Sequence, residues 1–406
     1  MRAGHKPKNV YRPRIGFAGQ SIHPMNPLNT KNKTIMIIAG EASGDMYGAD
    51  LVREMLRVKP DLCFYGIGGK RMREEGVELL VDVSEMAVVG ITEVVSKLRH
   101  ILKTMAMMKK SLEDRRPDLV ILIDYPDFNL PLAGAASKKG IKVLYYISPS
   151  VWAWRKGRIE QIKKTVNKMA VILPFEVDVY RRAGFTANYV GHPLLDMVKT
   201  QCSQQESRKR FGLAEDRITV AMLPGSRMSE IRKLIPELLR AASLLKKEMP
   251  EIQFVLPLAE TIEEKTLSDM ISGSGVEIKI ISGRTYDVIS CADLALVKSG
   301  TATLETALLN VPMIIIYKVS FLSYWIGRFV IHVKNIGLVN IIAGKTIVPE
   351  LIQSDADGHR IAAEALSILK NQERKKEMMG ELQRIRAMLG EPGAARRTAQ
   401  LAMDML

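Results

Sequence analysis

Short runs rich in Ile, Val and Leu alternate with longer stretches of helical periodicity from Thr34 onward. This alternation is typical of parallel sheets covered by helices on both faces, because strands buried on both sides are continuously apolar. The first series of predicted strands comprises Thr34–Ala39, Leu62–Tyr65, Leu119–Ile123, Lys142–Ile147 and Met169–Leu173. The second series comprises Ile218–Leu223, Ile252–Leu256, Glu277–Ile281, Leu294–Val297 and Met313–Tyr317. The pattern therefore predicts the α/β class, with two Rossmann-like doubly wound domains facing each other across a cleft.

The polar, strand-free segment Asp196–Arg210 separates the two series and marks the expected domain boundary. A chain of 406 residues also exceeds the length of about 250 to 300 residues that one hydrophobic core usually supports. We expect a first domain over residues 34–195, a second over residues 196–365, and terminal helices over residues 366–406 that cross back onto the first domain. The terminal helices leave the oligomeric state open between a monomer and a homodimer that exchanges them.

The net charge of +15 calls for an anionic partner, such as phosphorylated substrates, nucleic acid or acidic lipid headgroups. Residues 1–33 carry seven of the positive charges, contain several prolines and show no periodic apolar pattern, so we expect a disordered basic tail there. No apolar run reaches the length of about 18 residues that a membrane-spanning helix needs. Three widely spaced cysteines indicate neither a zinc site nor a disulfide scaffold, and they fit the reducing cytoplasm.

The turn after the first predicted strand contains small residues that suit a bound phosphate. It runs through Gly40–Asp45 directly into a helix, whose free backbone N–H groups attract an anion. The turn is neither a P-loop nor G-x-G-x-x-G, which disfavours dinucleotide binding. Close packing of strand against helix is an equally good explanation of its glycines.

Two turns of the second series favour a sugar nucleotide. Pro224–Arg227 follows one strand, and the guanidinium of Arg227 offers forked donors to a diphosphate, with a solvated surface arginine as the alternative. Ser299–Thr301 opens the helix after another strand. Glu305, one turn further on, can accept hydrogen bonds from ribose hydroxyls or is an ordinary acidic residue of a first helical turn. The combination of both turns with this carboxylate predicts binding of a sugar nucleotide.

Displacement at an anomeric carbon requires a general base, and two residues are candidates. Asp124 follows the strand Leu119–Ile123 at its carboxyl end, whereas the nearby Asp127 is placed to cap the next helix. Their spacing is not the D-x-D of many divalent-metal sites, so we expect neither a metal nor a cofactor. His192 is the rival base, because the pKa of histidine lies near neutrality, but its position at the domain boundary suits a hinge equally well.

An apolar stripe with basic neighbours predicts contact with an anionic membrane or with acyl chains. The stripe recurs at intervals of three and four residues through Val88, Ile91, Val95, Leu98, Leu102 and Met105. A helix face turned toward the core would show the same periodicity. A second segment that mixes apolar and basic residues, Phe321–Lys334, favours the interpretation as a peripheral membrane contact.

These motifs resemble those of the lipid-A-disaccharide synthase family, whose members are glycosyltransferases of the GT-B fold. The resemblance covers nearly all of the chain from Thr34 to the final helices. It rests on the segments Ala39–Asp45, Ala87–Val94, Ile123–Asn129, Ser148–Arg155, Leu173–Glu176, Leu223–Arg227 and Ser299–Glu305. The stretch Ser148–Arg155, with its serine, proline and tryptophan residues, is the most specific of them.

The resemblance implies an inverting hexosyltransferase of lipopolysaccharide biosynthesis in a Gram-negative bacterium. Its substrates would be UDP-2,3-diacylglucosamine and 2,3-diacylglucosamine 1-phosphate, and its products UDP and the β-1,6-linked lipid A disaccharide. It implies that the enzyme works peripherally on the cytoplasmic face of the inner membrane.

The resemblance also implies roles for individual residues. Asp124 matches the family's base. The implied donor-site residues are Arg227, Ser299, Gly300, Thr301, Glu305, Asn340 and Gln353. Glu41, Ser43 and Asp45 fall on the acceptor side. The implied membrane- or acyl-facing residues are Val88, Val89, Ile91, Val95, Leu98 and Leu102.

The sequence departs from the family pattern at Lys298, where a small or apolar residue is usual, and at Val339, a place often held by proline. The closest rival interpretation is a UDP-N-acetylglucosamine 2-epimerase, an isomerase of similar fold that needs no acyl-sized groove. A basic protein that binds nucleic acid is a further rival. It leaves Glu305 and the paired phosphate turns unexplained, so we expect no nucleic acid partner.

Overall fold

The structure of the protein is a computed structural model that describes residues 32–86, 94–149, 151, 157–259, 261–318 and 335–406. Residues 33–406 form one unit that contains two separate parallel sheets. Several residues singled out above lie outside the described residues: Val88, Val89, Ile91, Phe321–Lys334 and most of Ser148–Arg155.

Seven parallel strands form the first sheet in the order β3-β2-β1-β4-β5-β6-β7. Their bounds are β1 Thr34–Ala39, β2 Cys63–Gly68, β3 Glu78–Asp82, β4 Leu119–Ile123, β5 Lys142–Tyr146, β6 Lys168–Val171 and β7 Ala187–Tyr189. The strand order reverses between β1 and β4, whose last residues Ala39 and Ile123 are register partners. The turns that follow these two strands therefore lie side by side at the carboxyl edge, where doubly wound sheets bind ligands.

Six parallel strands form the second sheet in the order β10-β9-β8-β11-β12-β13. Their bounds are β8 Thr219–Leu223, β9 Gln253–Leu258, β10 Ile278–Ser282, β11 Leu294–Lys298, β12 Met313–Tyr317 and β13 Glu350–Ile352. The order reverses between β8 and β11, where Leu223 pairs with Val297. The two candidate phosphate turns of this half follow these two strands, so the topology makes them neighbours.

Helices connect the strands and cover the sheets. In the first half they are α1 Ala42–Val58, α2 Lys70–Glu74, α3 Val83–Met86, α4 Val94–Asp114, α5 Pro126–Lys138, α6 Arg158–Thr165, α7 Glu176–Arg182 and α8 Leu194–Met197. They continue as α9 Gln204–Arg210, α10 Met228–Glu248, α11 Glu264–Ile271, α12 Thr285–Ser290, α13 Thr301–Leu308, α14 Leu338–Ala343, α15 Gly358–Lys370, α16 Gln372–Met388 and α17 Ala394–Met403. A short 3-10 helix spans Gln353–Asp355.

The predicted fold class is confirmed, and all ten predicted strands are present with ends shifted by a few residues at most. The ten predicted strands do not include β7, a short edge strand that ends just before Gly191. The apolar pattern misses β3 and β13. Both are edge strands with partly exposed residues, so neither has the continuous apolar run that marks a central strand of a parallel sheet.

The terminal helices divide between the two sheets. Helix α17 contacts α1, and Lys142 Nζ of β5 donates a hydrogen bond to the Met405 carbonyl at 2.6 Å. The Asp196 carboxylate accepts from the backbone N–H groups of Gly393 and Ala394 at 2.7 and 3.1 Å, which satisfies the N-terminus of α17. Helix α16 instead contacts α13 and α14 of the second half. The domain limits at residues 195/196 and 365/366 stay predictions.

Candidate active site

The turn after β1 lies against the residues that follow β4. A Cβ atom on Gly40 would lie 2.2 Å from Cδ1 of Tyr125, so glycine is required for the Tyr125 ring to pack on this turn. Glu41 precedes α1 as its N-cap residue and keeps an exposed carboxylate, while Ser43 is half-buried in the first turn of α1. Close packing therefore explains Gly40, and Glu41 is the exposed polar group of the turn.

Asp124 lies at the carboxyl end of β4 in a left-handed backbone conformation, with a φ of 46°. Its side chain is accessible to water on one side, but the surrounding protein still desolvates the carboxylate. This desolvation, together with the negative charge of Glu41, raises the pKa of Asp124 to about 6. The carboxylate is therefore ionised at neutral pH, yet it is more basic than an ordinary aspartate.

Two other acidic residues near Asp124 are engaged elsewhere. Asp127 lies in the first turn of α5 and pairs with Arg158 of α6. Asp45 is buried, and its carboxylate accepts hydrogen bonds from three backbone N–H groups at the start of α2, the shortest from Gly69 at 2.6 Å. The predicted acceptor-side residue Asp45 thus holds α2 in place, and both of its carboxylate oxygens are engaged there.

Arg227, at the carboxyl edge of the second sheet, contacts a residue at the carboxyl edge of the first sheet. It is the N-cap residue of α10, directly after the turn that follows β8. Its Nη2 lies 3.3 Å from Oε2 of Glu41, in the turn that follows β1. Both side chains are largely exposed, so this ion pair contributes little stability. It shows instead that the guanidinium reaches the neighbourhood of Asp124.

Glu230 fills the space above the turn Pro224–Arg227. A Cβ atom on Gly225, whose φ is 111°, would lie 2.4 Å from Oε2 of Glu230. Lys298 Nζ lies 2.8 Å from Oε1 of the same carboxylate. Lys298, a departure from the family pattern, is therefore paired with Glu230 beside both candidate phosphate turns.

The second phosphate turn leads into α13. Ser299 and Gly300 precede this helix, and Thr301 begins it with an exposed side chain. Glu305 lies one turn further on and accepts a hydrogen bond from the hydroxyl of Tyr286 at 3.2 Å. Burial raises the pKa of Glu305, and the hydrogen bond from Tyr286 offsets part of that shift.

Tyr47 of α1 links the two carboxylates electrostatically. Burial raises the pKa of its hydroxyl well above the ordinary value, and the charges of Glu305 and, more weakly, Asp124 add to the shift. Glu305 lies on α13, which packs beside the second sheet, and Asp124 follows β4 of the first sheet. Both carboxylates therefore lie within electrostatic range of Tyr47.

Asn340 does not reach the surface of the site. Its side chain is fully buried, and its Nδ2 group donates to the Val348 carbonyl at 2.9 Å and to Glu350 Oε1 at 2.7 Å. Its Oδ1 atom accepts from the backbone N–H groups of Ile347 and Val348 at 2.8 and 3.1 Å. These four hydrogen bonds use the full capacity of the amide, so the structure gives Asn340 a loop-holding role and no free atom for the predicted UDP contact.

Gln353 is better placed for a ligand than Asn340. It follows β13 directly at the carboxyl edge of the second sheet, is half-buried, and has a left-handed φ of 55°.

His192 is buried, with an exposed fraction of 3%. Its Nδ1 atom accepts a hydrogen bond from the backbone N–H of Leu194 at 3.2 Å, at the start of α8. Burial lowers the pKa of His192 to about 4, so the imidazole is neutral at physiological pH. This geometry gives His192 a role in holding the start of α8 and disfavours its use as the base.

The predicted membrane-facing stripe is only partly described. Val95 and Leu98 lie on α4. The same helix buries Thr104, Met108, Ser111 and Leu112. Leu102 lies off that buried row and is 59% exposed, with the exposed Lys103 beside it. In the described part of the chain, no helix is both long and apolar enough to cross a bilayer.

Four neighbours of the candidate site are not marked as functional by the sequence pattern. They are Tyr47, Asn129, Tyr145 and Tyr286. Asn129 belongs to the quoted segment Ile123–Asn129, and its polarity inside an otherwise apolar helical face was the available signal. The tyrosines act across the tertiary structure, which local sequence patterns do not show.

Solved structures share this architecture. CalG4, the calicheamicin glycosyltransferase, matches with a TM-score of 0.59 and 13% identity, covering 93% of this chain and 98% of that chain. The UDP-GlcNAc 2-epimerase from Neisseria meningitidis bound to UDP-GlcNAc gives a TM-score of 0.56 and 11% identity, covering 92% and 98%. The fold is that of the GT-B glycosyltransferases, which such epimerases share.

Sequence comparison decides between these classes in favour of a glycosyltransferase. The family described as lipid-A-disaccharide synthetase matches residues 35–404. A lipid-A-disaccharide synthase of Syntrophus aciditrophicus (strain SB) is 54% identical over 376 residues, covering 92% of this chain and 98% of that protein. The chain belongs to the lipid-A-disaccharide synthetase family. The family suggested by the sequence motifs is confirmed, and the similarity to the epimerases is one of fold alone.

Proposed function

We propose that this enzyme transfers 2,3-diacylglucosamine from its UDP donor to 2,3-diacylglucosamine 1-phosphate, with inversion at the anomeric carbon. Family membership supports synthesis of the lipid A disaccharide from a UDP-sugar and a sugar phosphate. The observation that carries the site assignment is the contact between Arg227 and Glu41 at 3.3 Å. This contact joins the turn Pro224–Arg227, which we expect to bind the diphosphate, to the turn after β1, which lies beside Asp124.

Asp124 acts as the general base in this proposal. Its ionised carboxylate takes the proton from the 6-hydroxyl of the acceptor while that oxygen attacks the anomeric carbon of the donor. The bond to UDP breaks on the opposite face, so an α-linked donor gives a β-linked disaccharide. A pKa of about 6 keeps the base ionised at neutral pH and strengthens it as a proton acceptor.

The second half of the chain stabilises the departing UDP. Arg227 donates paired hydrogen bonds to the diphosphate, and the N-terminus of α13 at Gly300 and Thr301 adds backbone N–H groups. The backbone N–H of Ser299 is not available, because it donates to the Ile316 carbonyl at 2.9 Å. Glu305 accepts hydrogen bonds from the ribose hydroxyls, and Gln353 lies at the same edge. Asn340 acts indirectly by holding residues 347–350.

The first half positions the acceptor. Glu41 and Ser43 are its polar contacts in this proposal, and Asp45 contributes by fixing α2. Glu41 pairs with Arg227, so the donor diphosphate competes with that carboxylate for the guanidinium. Donor binding therefore releases Glu41 for the acceptor.

Incubation of the enzyme with both acylated substrates, in chelator-treated buffer, is expected to yield the disaccharide phosphate and equimolar UDP. Product analysis by mass spectrometry and a coupled UDP assay check this. Unacylated UDP-N-acetylglucosamine serves as the matched donor control and is expected to react at least about a hundredfold more slowly, since each buried methylene contributes about 0.8 kcal/mol. Turnover of the unacylated donor alone would contradict the acylated substrate.

We also propose peripheral contact with the cytoplasmic face of the inner membrane through α4. Leu102→Glu is expected to weaken binding to vesicles rich in phosphatidylglycerol about tenfold, because it removes an apolar contact and adds a repelled charge. Val58→Glu is the matched control, since Val58 is also 59% exposed but lies at the end of α1. Equal losses in both variants, measured by vesicle sedimentation, would argue against α4 as the contact.

A homodimer through the terminal helices stays a prediction.

A further inference from the structure

The backbone at the end of β4 adopts an unfavourable conformation. Asp124 and Tyr125 have φ values of 46° and 44°, two consecutive residues with side chains in the left-handed region. Such residues crowd Cβ against the backbone, and they persist only where the surrounding structure holds them. Something in this structure must therefore hold Asp124 in place.

Three hydrogen bonds fix the main chain of Asp124. Its carbonyl oxygen accepts from the Tyr145 hydroxyl at 2.6 Å and from Asn129 Nδ2 at 2.7 Å. Its N–H group donates to the Tyr146 carbonyl at 3.0 Å. The carbonyl thus has both lone pairs occupied, and no backbone group of Asp124 remains to be satisfied by a different conformation.

The two donors come from rigid elements on either side of the turn. Asn129 lies on α5, is fully buried, and also donates to the Ile123 carbonyl at 3.1 Å. Tyr145 lies on the neighbouring strand β5 and is fully buried. Burial raises the pKa of Tyr145 well above its ordinary value, so its hydroxyl remains a donor.

We propose that Asn129 and Tyr145 are positioning residues, which hold the left-handed backbone of Asp124 and thereby aim its carboxylate at the acceptor hydroxyl. The proposal rests on the proposed role of Asp124 as the base. Neither residue touches substrate. Without these donors the strained turn relaxes, and a base displaced by about 1 Å loses much of its effect on the chemical step.

Tyr145→Phe and Tyr146→Phe form a matched pair that tests this proposal. The residues are adjacent on β5 and fully buried, but the Tyr146 hydroxyl lies beside Thr398 of α17, whereas the Tyr145 hydroxyl bonds the Asp124 carbonyl. Tyr145→Phe is expected to lower kcat about tenfold with KM unchanged within about twofold. Tyr146→Phe is expected to retain wild-type kcat.

The pH profile separates positioning from a general loss of structure. If the Asp124 carboxylate in Tyr145→Phe moves away from Glu41 and from the protein groups that desolvate it, its pKa falls and the acid limb of kcat/KM moves from about pH 6 toward lower pH. Thermal unfolding of both variants provides the folding control. Asn129→Ser, which shortens the donor without adding bulk, is expected to shift the limb in the same direction.

The outcomes are distinguishable. Equal kcat and equal pH profiles for Tyr145→Phe and Tyr146→Phe overturn the positioning role while leaving Asp124 as the base. Full turnover in Asp124→Asn overturns the assignment of the base itself, and with it this proposal. A lower kcat and a shifted limb in Tyr145→Phe alone support the proposal.

Discussion

Asp124→Asn is expected to lower kcat about a thousandfold while UDP affinity stays within about twofold of wild type. The amide keeps the size of the side chain but cannot accept the proton of the attacking hydroxyl, and general base catalysis contributes about a hundred- to ten-thousandfold. Steady-state kinetics and calorimetric titration with UDP measure the two quantities.

Asp127→Asn is the matched control for this prediction. Asp127 lies three residues further along, is exposed, and pairs with Arg158 at the side of α5. We expect wild-type kcat for this variant. If Asp124→Asn retains activity, the base lies elsewhere, and His192 becomes the next residue to examine despite its burial.

The raised pKa of Asp124 predicts an effect on stability with a definite sign. A folded-state pKa of about 6, above the unfolded value, means that ionised Asp124 opposes folding. Its favourable contribution is complete below the unfolded pKa near 4 and is lost as the pH rises through about 6. Asp124→Asn should therefore raise Tm at pH 8 and leave it unchanged near pH 4.

The same carboxylate gives the acid limb of the activity profile. We expect kcat/KM to rise with pH through an apparent pKa of about 6. Glu41→Gln removes a negative charge that raises this pKa, so the limb should move to lower pH.

The sequence identifies the turns that carry the main candidates, but the strand order that makes these turns neighbours comes from the structure. Asp124 and Glu41 follow β4 and β1, and Arg227 follows β8, each at a carboxyl edge next to a reversal of strand order. Apolar runs identify these strands, and the rule for doubly wound sheets then places the ligand.

Other parts depended on packing that a linear pattern does not contain. The hydrogen bond of Tyr286 to Glu305 joins two helices, α12 and α13, whose approach is set by the core between them. Asn340 matches a family position, but only the structure shows that its amide is already hydrogen-bonded to the loop at Ile347. The left-handed backbone of Asp124 also has no sequence signal, since glycine usually marks such conformations.

Arg227→Lys is expected to raise the Kd for UDP between about ten- and a hundredfold. Lysine keeps the charge but loses the planar fork that bonds two phosphate oxygens at once, and a hydrogen bond to a charged group contributes about 1.5 to 3 kcal/mol. Arg232→Lys is the matched control, because Arg232 is exposed further along α10. Calorimetric titration with UDP at one fixed salt concentration compares the variants.

The Arg227–Glu41 contact allows a second interpretation, in which the arginine only latches the two halves together. Glu41→Gln distinguishes the two interpretations, because it removes the carboxylate that competes with the diphosphate for the guanidinium. If Arg227 binds the diphosphate, Glu41→Gln should tighten UDP binding while Arg227→Lys weakens it. If Arg227 is only a latch, both changes weaken the same contact and should shift UDP affinity in the same direction. Opposite signs therefore identify Arg227 as a donor-binding residue for which Glu41 and the diphosphate compete.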